Sequence, residues 1–239
     1  MLLEAVGGRQ ESVTAEVNRS VPGTAMRALS YLRAHGLLLT ARRAFAELVP
    51  RLFRYESHVW YERSLAAADP VVWPPGLALV PGGPATWQTL ELLDTVGDAE
   101  AWRRLADGTQ WWLVEQDGLP AFSCWIFHGS APVQAAPGHR LPLPPGTVVL
   151  EDSVTAAAVR GRGIAPLAWS AIALLLLEQH VHSMLTKVDV SNAASRRAVT
   201  KAGFREIALV NYQRLGPWSR TAVQPIGSTG AWLSSELRR

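Results

Sequence analysis

A glycine-containing turn between two regular elements is the segment of this chain best suited to chemistry. Residues 160–165 read Arg-Gly-Arg-Gly-Ile-Ala and lie between a strand-like stretch and an apolar helical one. The two glycines let the backbone curl with little steric cost, and a helix leaves its first N–H groups unpaired. A concavity lined by such N–H groups can bind a pyrophosphate without a lysine. The two arginines add positive charge, so the turn predicts a phosphate-binding site.

Better-known phosphate motifs fit this turn less well. A P-loop ends in Gly-Lys-Ser or Gly-Lys-Thr, but neither Lys187 nor Lys201, the only lysines, follows a glycine. The dinucleotide fingerprint requires a third glycine where Pro166 stands. An RNA-binding arginine–glycine repeat is also disfavoured, because the tetrapeptide occurs once and precedes an apolar helix.

Strands and helices alternate around the turn, and they are the elements that must position it. Asp117-Gly118 separates two strand-like runs, which favours a type I′ hairpin. The alternation after that hairpin predicts an α/β fold, or α+β layers, with helices packed on a sheet. The pattern predicts strands over residues 76–80, 111–116, 119–127, 147–155, 184–190 and 207–215, and helices over 86–107, 166–181 and 192–201.

Composition excludes several classes of protein. The chain has 239 residues, of which 48% are hydrophobic and 18% charged, and this is enough apolar material for a real core. A single cysteine, Cys124, excludes a disulfide framework and any cysteine-pair metal site within the chain. A net charge of +3 gives no argument for nucleic-acid binding. We expect no metal, and we expect a cytoplasmic protein because no secretory signal or membrane-length apolar run is visible.

The first part of the chain predicts an extension ahead of the main domain. We place a helical or irregular extension at residues 1–85 and the main domain at residues 86–239. Residues 24–54 carry one apolar stripe at helical spacing and an arginine-rich face. That pattern fits a helix packed on the main domain, which we favour, or a helix lying on an anionic membrane surface.

The motifs between residues 148 and 204 together resemble those of the GNAT superfamily of N-acetyltransferases. Arg160, Gly163 and Ala165 match its Q/R-x-x-G-x-G/A signature. Asn192 and Ser195 fit its Asn-x-x-Ser pattern, and residues 201–204 read Lys-Ala-Gly-Phe in the expected place. The wider resemblance covers roughly residues 86–215.

The resemblance implies a GNAT-like fold and an acyl-CoA cosubstrate. The fold would be a mixed, mostly antiparallel sheet with splayed central strands and flanking helices. The pantetheine arm would pair with the backbone near Val154 and Thr155, and the thioester would lie between strands 147–155 and 184–190. Asn192, Ser195 and Lys201 would complete the cofactor site. The pyrophosphate would rest on the amides of the turn, formed by Arg160, Gly161, Arg162, Gly163, Ile164 and Ala165.

Candidate catalytic residues lie on the strand that would border the acceptor. Glu151 or Asp152 could take a proton from the attacking amine. Neighbouring strand residues face opposite sides, so we expect only one of them, preferably Glu151, to face the site. The alternative is that both are strand-edge acids or partners of arginine. The tyrosine that many family members use as general acid is replaced by Val199, and Tyr212 or a water could substitute.

The predicted reaction is direct transfer of an acetyl group from acetyl-CoA to a primary amine. A backbone amide at a strand bulge would stabilise the oxyanion. The acceptor could be a small molecule or a protein amine. We expect no nucleic-acid partner, and the sequence leaves open whether the protein forms a homodimer. Two alternatives remain: a longer acyl-CoA or acyl-carrier-protein donor, or a catalytically silent module that binds acyl-CoA.

Overall fold

The computed structural model describes residues 53–67, 70–93 and 95–239. This part of the chain contains ten strands and five α-helices. The strands are β1 (Phe53–Ser64), β2 (Leu77–Pro81), β3 (Gln110–Gln116), β4 (Leu119–His128), β5 (Ser130–Pro132), β6 (Arg140–Pro142), β7 (Thr147–Thr155), β8 (Ser183–Asp189), β9 (Arg205–Leu215) and β10 (Trp218–Pro225). The helices are α1 (Thr89–Leu93), α2 (Asp98–Ala106), α3 (Ile164–Glu178), α4 (Ala193–Lys201) and α5 (Gly227–Glu236).

Eight of these strands form one mixed sheet in the order β10-β9-β1-β8-β7-β4-β3-β2. The central neighbours β7 and β8 run parallel, and the other neighbouring pairs are antiparallel. The connection from β7 to β8 contains α3, as a parallel pair requires. The expected mostly antiparallel sheet with flanking helices is confirmed.

The first strand of the described region lies inside the sheet. β1 pairs with β8 through registers such as His58↔Asp189, and with β9 through registers such as His58↔Val210. The sheet therefore includes residues that the sequence analysis assigned to an extension ending at residue 85. That boundary followed the motifs, which begin later, whereas β1 owes its place to partners more than 100 residues further along the chain.

The helix predicted over residues 24–54 lies almost wholly outside the described residues. Only its last two positions are described, and Phe53 and Arg54 begin β1 instead of ending a helix. None of the helices in the described ranges has the length and hydrophobicity that a membrane crossing requires.

Apolar side chains cover both faces of the sheet. On one face, α3 buries Trp169, Ile172 and Leu176 against residues such as Leu150 of β7. On the other face, Trp60, Trp111 and Trp125 form a second core together with residues of α5. α3 is apolar on most of its surface because the sides that do not face the sheet also contact neighbouring elements, including α4.

Local signals placed most of the later elements correctly. Asp117 and Gly118 both have positive φ, of 51° and 78°, and connect β3 to β4 as the hairpin prediction required. The predicted helix over 86–107 is instead two helices, because Gly97 adopts an extended conformation and begins α2. β10 and α5 lie after the last motif and were not predicted from the sequence.

Candidate functional site

A cleft of about 1110 Å³ opens where β7 and β8 separate. Residues on both strands line it, as do the turn before α3 and residues along the length of α4. The cleft continues to β1, where Arg54, Glu56 and His58 contribute to its wall. The arrangement brings the predicted pyrophosphate turn and the predicted carboxylates into one continuous site.

The separation of the two central strands begins at a defined pair. Their parallel register runs from Thr147↔Ser183 to Leu150↔Thr186. At its end the Thr186 hydroxyl donates a hydrogen bond to the Leu150 carbonyl oxygen at 2.8 Å. Beyond this point, Val154 and Thr155 on β7 line the cleft rather than pair with β8. A buried carbonyl is thereby satisfied at the place where the ladder stops.

The turn before α3 has the geometry that the two glycines predict. Gly161 and Gly163 have φ of 79°, a left-handed conformation that glycine adopts at little cost. Gly163 is also the N-cap of the 15-residue helix α3, so the amides of Ile164 and Ala165 lie in its first turn. Pro166, which follows them, has no amide to offer. The residues present fit an anionic group such as a pyrophosphate.

The two arginines of the turn occupy different places. Arg160 lines the cleft, and its Nε donates to the Thr155 carbonyl oxygen at 3.1 Å, which fixes the turn to the end of β7. Arg162 is exposed and is not among the residues that line the cleft.

The predicted cofactor residues of α4 also reach the cleft. Asn192, Ser195 and Lys201 all line it. The Asn192 side-chain oxygen accepts a hydrogen bond from the Ser195 amide at 3.0 Å, so this side chain caps the helix. The Lys201 ammonium lies 3.9 Å from where a Cβ at Gly163 would be. It therefore adds a positive charge directly beside the turn.

A β-bulge places both predicted carboxylates in the cleft. Along β4 the register passes from Ser123↔Val154 to Trp125↔Glu151, so β7 has one more residue than β4 between these pairs. Asp152 in this bulge has a φ of 48°, which breaks the alternation of side chains. The strand alternation on which the expectation of a single site-facing carboxylate rested is therefore interrupted, and both Glu151 and Asp152 contribute to the cleft lining.

Each of these carboxylates has a cationic partner. Glu151 forms an ion pair with the Lys187 ammonium, and this pair bridges β7 and β8 just beyond their last register pair. Burial raises the pKa of Glu151, although the Lys187 charge opposes that shift. Asp152 accepts a hydrogen bond from Arg104 at 2.6 Å. Asp152 thus has the arginine partner that the alternative to a general base expected, whereas the partner of Glu151 is a lysine.

The two residues considered for the general acid have different positions. Val199 is buried and lines the cleft at the place where the resemblance expects a tyrosine. Tyr212 is buried on β9, opposite Glu56 of β1, and is not among the residues that line the cleft.

The polar residues of β1 are the part of the site that the motifs missed. Arg54, Glu56 and His58 alternate along the strand, so they share the face that reaches the cleft. This period-two polar pattern was visible in the sequence. The pattern did not indicate a site, because nothing in the sequence showed that this strand pairs with β8.

Comparison with known proteins finds similarity among solved structures. No family model matches the chain, and no curated protein does either. Among solved structures, the alignment with a Drosophila protein covers 75% of this chain and 58% of the Drosophila chain, with 13% sequence identity and a TM-score of 0.50. The alignment with a GCN5-related N-acetyltransferase from Sphaerobacter thermophilus covers 74% of this chain and 57% of that chain, with 17% sequence identity and a TM-score of 0.49. The alignment with another GCN5-related N-acetyltransferase, from Kribbella flavida, covers 76% of this chain and 74% of that chain, with 16% sequence identity and a TM-score of 0.47.

These similarities concern architecture. This chain spans less than three fifths of the Drosophila and Sphaerobacter chains. The architecture that the resemblance implied, a mixed sheet with splayed strands β7 and β8 and flanking helices, is confirmed. A fold does not by itself define a reaction, so the activity must be argued from the site.

Proposed function

We propose that this protein is an acyl-CoA-dependent N-acyltransferase, most simply one that transfers an acetyl group to a primary amine. The observation that supports this proposal is the cleft between β7 and β8, which connects a turn suited to an anion with a wall of ionisable side chains. The turn suits the pyrophosphate of a CoA ester, and the far wall suits an amine. The cleft between them can hold both reactants at once.

Binding would use backbone groups more than side chains. The amides around Gly161, Gly163 and Ile164 would hold the pyrophosphate, with Lys201 adding positive charge. The backbone of Val154 and Thr155 would pair with the pantetheine arm, because β7 no longer pairs with β8 there. The acyl thioester would supply the electrophilic carbonyl.

Catalysis would depend mainly on positioning. An amine in the acceptor part of the cleft would attack the thioester carbonyl, and a backbone amide at the Asp152 bulge would donate to the developing oxyanion. Holding the two reactants together removes much of the entropic cost of their meeting. Cys124 is fully buried in β4, which supports direct attack rather than an acyl-cysteine intermediate.

Ligand-induced stabilisation tests the cofactor site. Saturating acetyl-CoA or CoA, at about 100 times its Kd, should stabilise the protein by about 2.7 kcal/mol and raise Tm by roughly 5–10 °C. The Gly163→Leu variant should lose this shift, because a side chain at a φ of 79° strains the turn and enters the anion site.

Gly216→Leu is the matched control. Gly216 also has a positive φ, of 57°, but lies in the connection between β9 and β10 and outside the cleft lining. It should reduce the starting Tm and keep the CoA-dependent shift. No shift in the unmodified protein with acetyl-CoA, longer acyl-CoA or CoA would contradict the proposed function.

The acceptor and donor require a separate screen. CoA release should be followed with an amino acid, an aminosugar, a polyamine and a peptide with a free N-terminus, and the products identified by mass spectrometry. Faster turnover with a long-chain acyl-CoA or an acyl carrier protein would change the donor assignment. Binding of acyl-CoA without turnover on any acceptor would favour the silent binding module.

A further inference from the structure

The acceptor part of the cleft contains a histidine that lies outside the motif set. His58 lies on β1 directly opposite Asp189 of β8, and both residues line the cleft. Two residues along, Trp60 lies opposite Lys187, whose ammonium is 5.8 Å from the centre of the Trp60 ring. His58 is thus the diagonal neighbour of Lys187, at roughly 7–8 Å between backbone positions.

This diagonal places His58 beside the proposed reaction centre. Lys187 is ion-paired with Glu151 across the gap between β7 and β8. The thioester would lie in that same gap, next to the bulge at Asp152. The imidazole of His58 therefore occupies the acceptor wall one side chain away from the pair that spans the gap.

The two carboxylates are less available than His58 as proton acceptors. Glu151 is engaged by Lys187, and Asp152 is engaged by Arg104. His58 Nδ1 is 4.0 Å from the nearest Glu56 oxygen, which is longer than a hydrogen bond. Its side chain is 21% exposed, so the imidazole is accessible from the cleft while remaining partly shielded by protein.

We propose that His58 is the general base of the reaction, which rests on the proposed acyltransferase function. The amine lone pair forms the C–N bond as the thioester carbonyl electrons move to oxygen. His58 accepts the proton that the attacking nitrogen loses. The carbonyl then re-forms, the C–S bond breaks, and its electron pair leaves on the CoA thiolate. The imidazolium proton passes to the thiolate or to solvent, which regenerates neutral His58.

The surroundings of His58 favour the neutral imidazole that this step needs. Burial lowers the pKa of His58 below its ordinary value of 6.5, and the charges of Lys187 and Arg54 act in the same direction, while Glu56 and Asp189 oppose them. On the β9 side, the same face carries Val210 and Tyr212. A base with a lowered pKa is unprotonated at neutral pH and can accept a proton from the attacking nitrogen, which becomes more acidic once the C–N bond has formed.

Kinetics of His58→Gln provide the test. The assay uses acetyl-CoA and the fastest acceptor among glycine, glucosamine, spermidine and a short peptide with a free N-terminus. Loss of a general base should lower kcat/KM by about 100-fold. The acetyl-CoA-dependent Tm shift should remain, because His58 lies away from the pyrophosphate turn. His58→Asn serves as a second variant if the glutamine variant does not fold.

The pH profile separates a base from a merely structural residue. As the pH is raised, kcat/KM of the unmodified protein should increase through two ionisations, those of the acceptor amine and of His58. The His58→Gln variant should retain only the ionisation of the amine. Added imidazole should restore part of the turnover in His58→Ala.

His128→Gln is the matched control. His128 is a strand histidine at the end of β4, it is outside the cleft lining, and burial lowers the pKa of its imidazole as well. This variant should keep kcat/KM within about twofold of the unmodified protein.

The outcomes distinguish the two proposals. Retained turnover and an unchanged profile in a folded His58 variant would overturn the base assignment and leave the acyltransferase function standing. If none of acetyl-CoA, a longer acyl-CoA and CoA binds, or no acceptor supports turnover by the unmodified protein, the proposed function fails and the base assignment fails with it.

Discussion

Arg104 shows how a single side chain can serve both packing and the site. Its guanidinium carbon lies 5.2 Å from the ring centres of both Trp125 and Phe127. The same group donates hydrogen bonds to Glu100 and to Asp152. A buried guanidinium needs such partners to offset the loss of hydration. Arg104 therefore ties the second core directly to the bulge in β7.

The buried thiol of Cys124 gives a prediction at the residue scale. Burial raises the pKa of this thiol far above its ordinary value, and the side chain is fully buried. We expect no measurable reaction of the native protein with a disulfide reagent at neutral pH, because the thiolate is the reactive form. In denaturant, one thiol per chain should react. Fast reaction of the native protein, compared with a Cys124→Ala blank, would contradict the buried geometry.

Individual side-chain roles were only partly predictable from the sequence. Asn192 belongs to a recognisable motif, but its role as a helix cap emerges only from its bond to the Ser195 amide. The surroundings of Asp152 were not predictable, because a bulge cannot be inferred from side-chain alternation. His58 belongs to a visible alternating polar pattern, but its position in the cleft depends on a strand partner distant in sequence.

At the element scale, the bulge in β7 is the feature that shapes the proposed oxyanion site. A non-glycine residue at a φ of 48° is uncommon and is maintained by surrounding interactions. Here the contact from Arg104 on α2 to Asp152 supplies one of these interactions. The geometry of the bulge therefore depends in part on α2, a helix that is separate from the turn before α3.

Replacing Arg104 tests this dependence. Arg104→Met keeps a long apolar side chain over the aromatic rings but removes the contact with Asp152. We expect kcat to fall by about 10–100-fold, because a shift of about 1 Å in a catalytic group has effects of this size. The CoA-dependent Tm shift should be unchanged, since the turn before α3 is untouched.

Arg103→Met is the control for this variant. Arg103 is the next residue of α2, is exposed, and also pairs with Glu100. It should leave kcat within about twofold of the unmodified protein. An equal loss of kcat in both variants would indicate a general effect of α2 rather than a specific effect on the bulge.

Elements with strong local signals were predictable, and those without them were not. The Asp117-Gly118 turn, β7 and α3 follow directly from turn chemistry and apolar patterning. The division of residues 86–107 into α1 and α2 depends on the conformation of Gly97, which periodicity alone does not specify. Strand order is a tertiary property, so the insertion of β1 between β8 and β9 could not be inferred from local patterns.

At the scale of the whole molecule, β1 joins the two halves of the sheet. It connects β8, which borders the cleft, to the β9–β10 hairpin that packs with α5. Residues 53–239 accordingly form one compact unit. If β1 were absent, the strands β8 and β9 would each expose an unpaired edge, and such edges promote aggregation.

Truncation tests the position of the domain boundary. A chain that begins at residue 86 should aggregate or unfold without a cooperative thermal transition, because it lacks β1 and β2. A chain that begins at residue 53 should keep a cooperative transition and the CoA-dependent Tm shift. Circular dichroism and calorimetry would measure both, and cooperative folding of the shorter chain would support the original boundary at residue 86.

The position of β1 also affects the order of events during protein synthesis. Its residues leave the ribosome well before their partners in β8 and β9, which end at residues 189 and 215. At about 5–20 residues per second, this delay is on the order of ten seconds. During that time the apolar side of β1, including Trp60, cannot reach its native partners. Chaperone binding to nascent chains should therefore be strongest before β9 has emerged, and it should decline once the sheet can close.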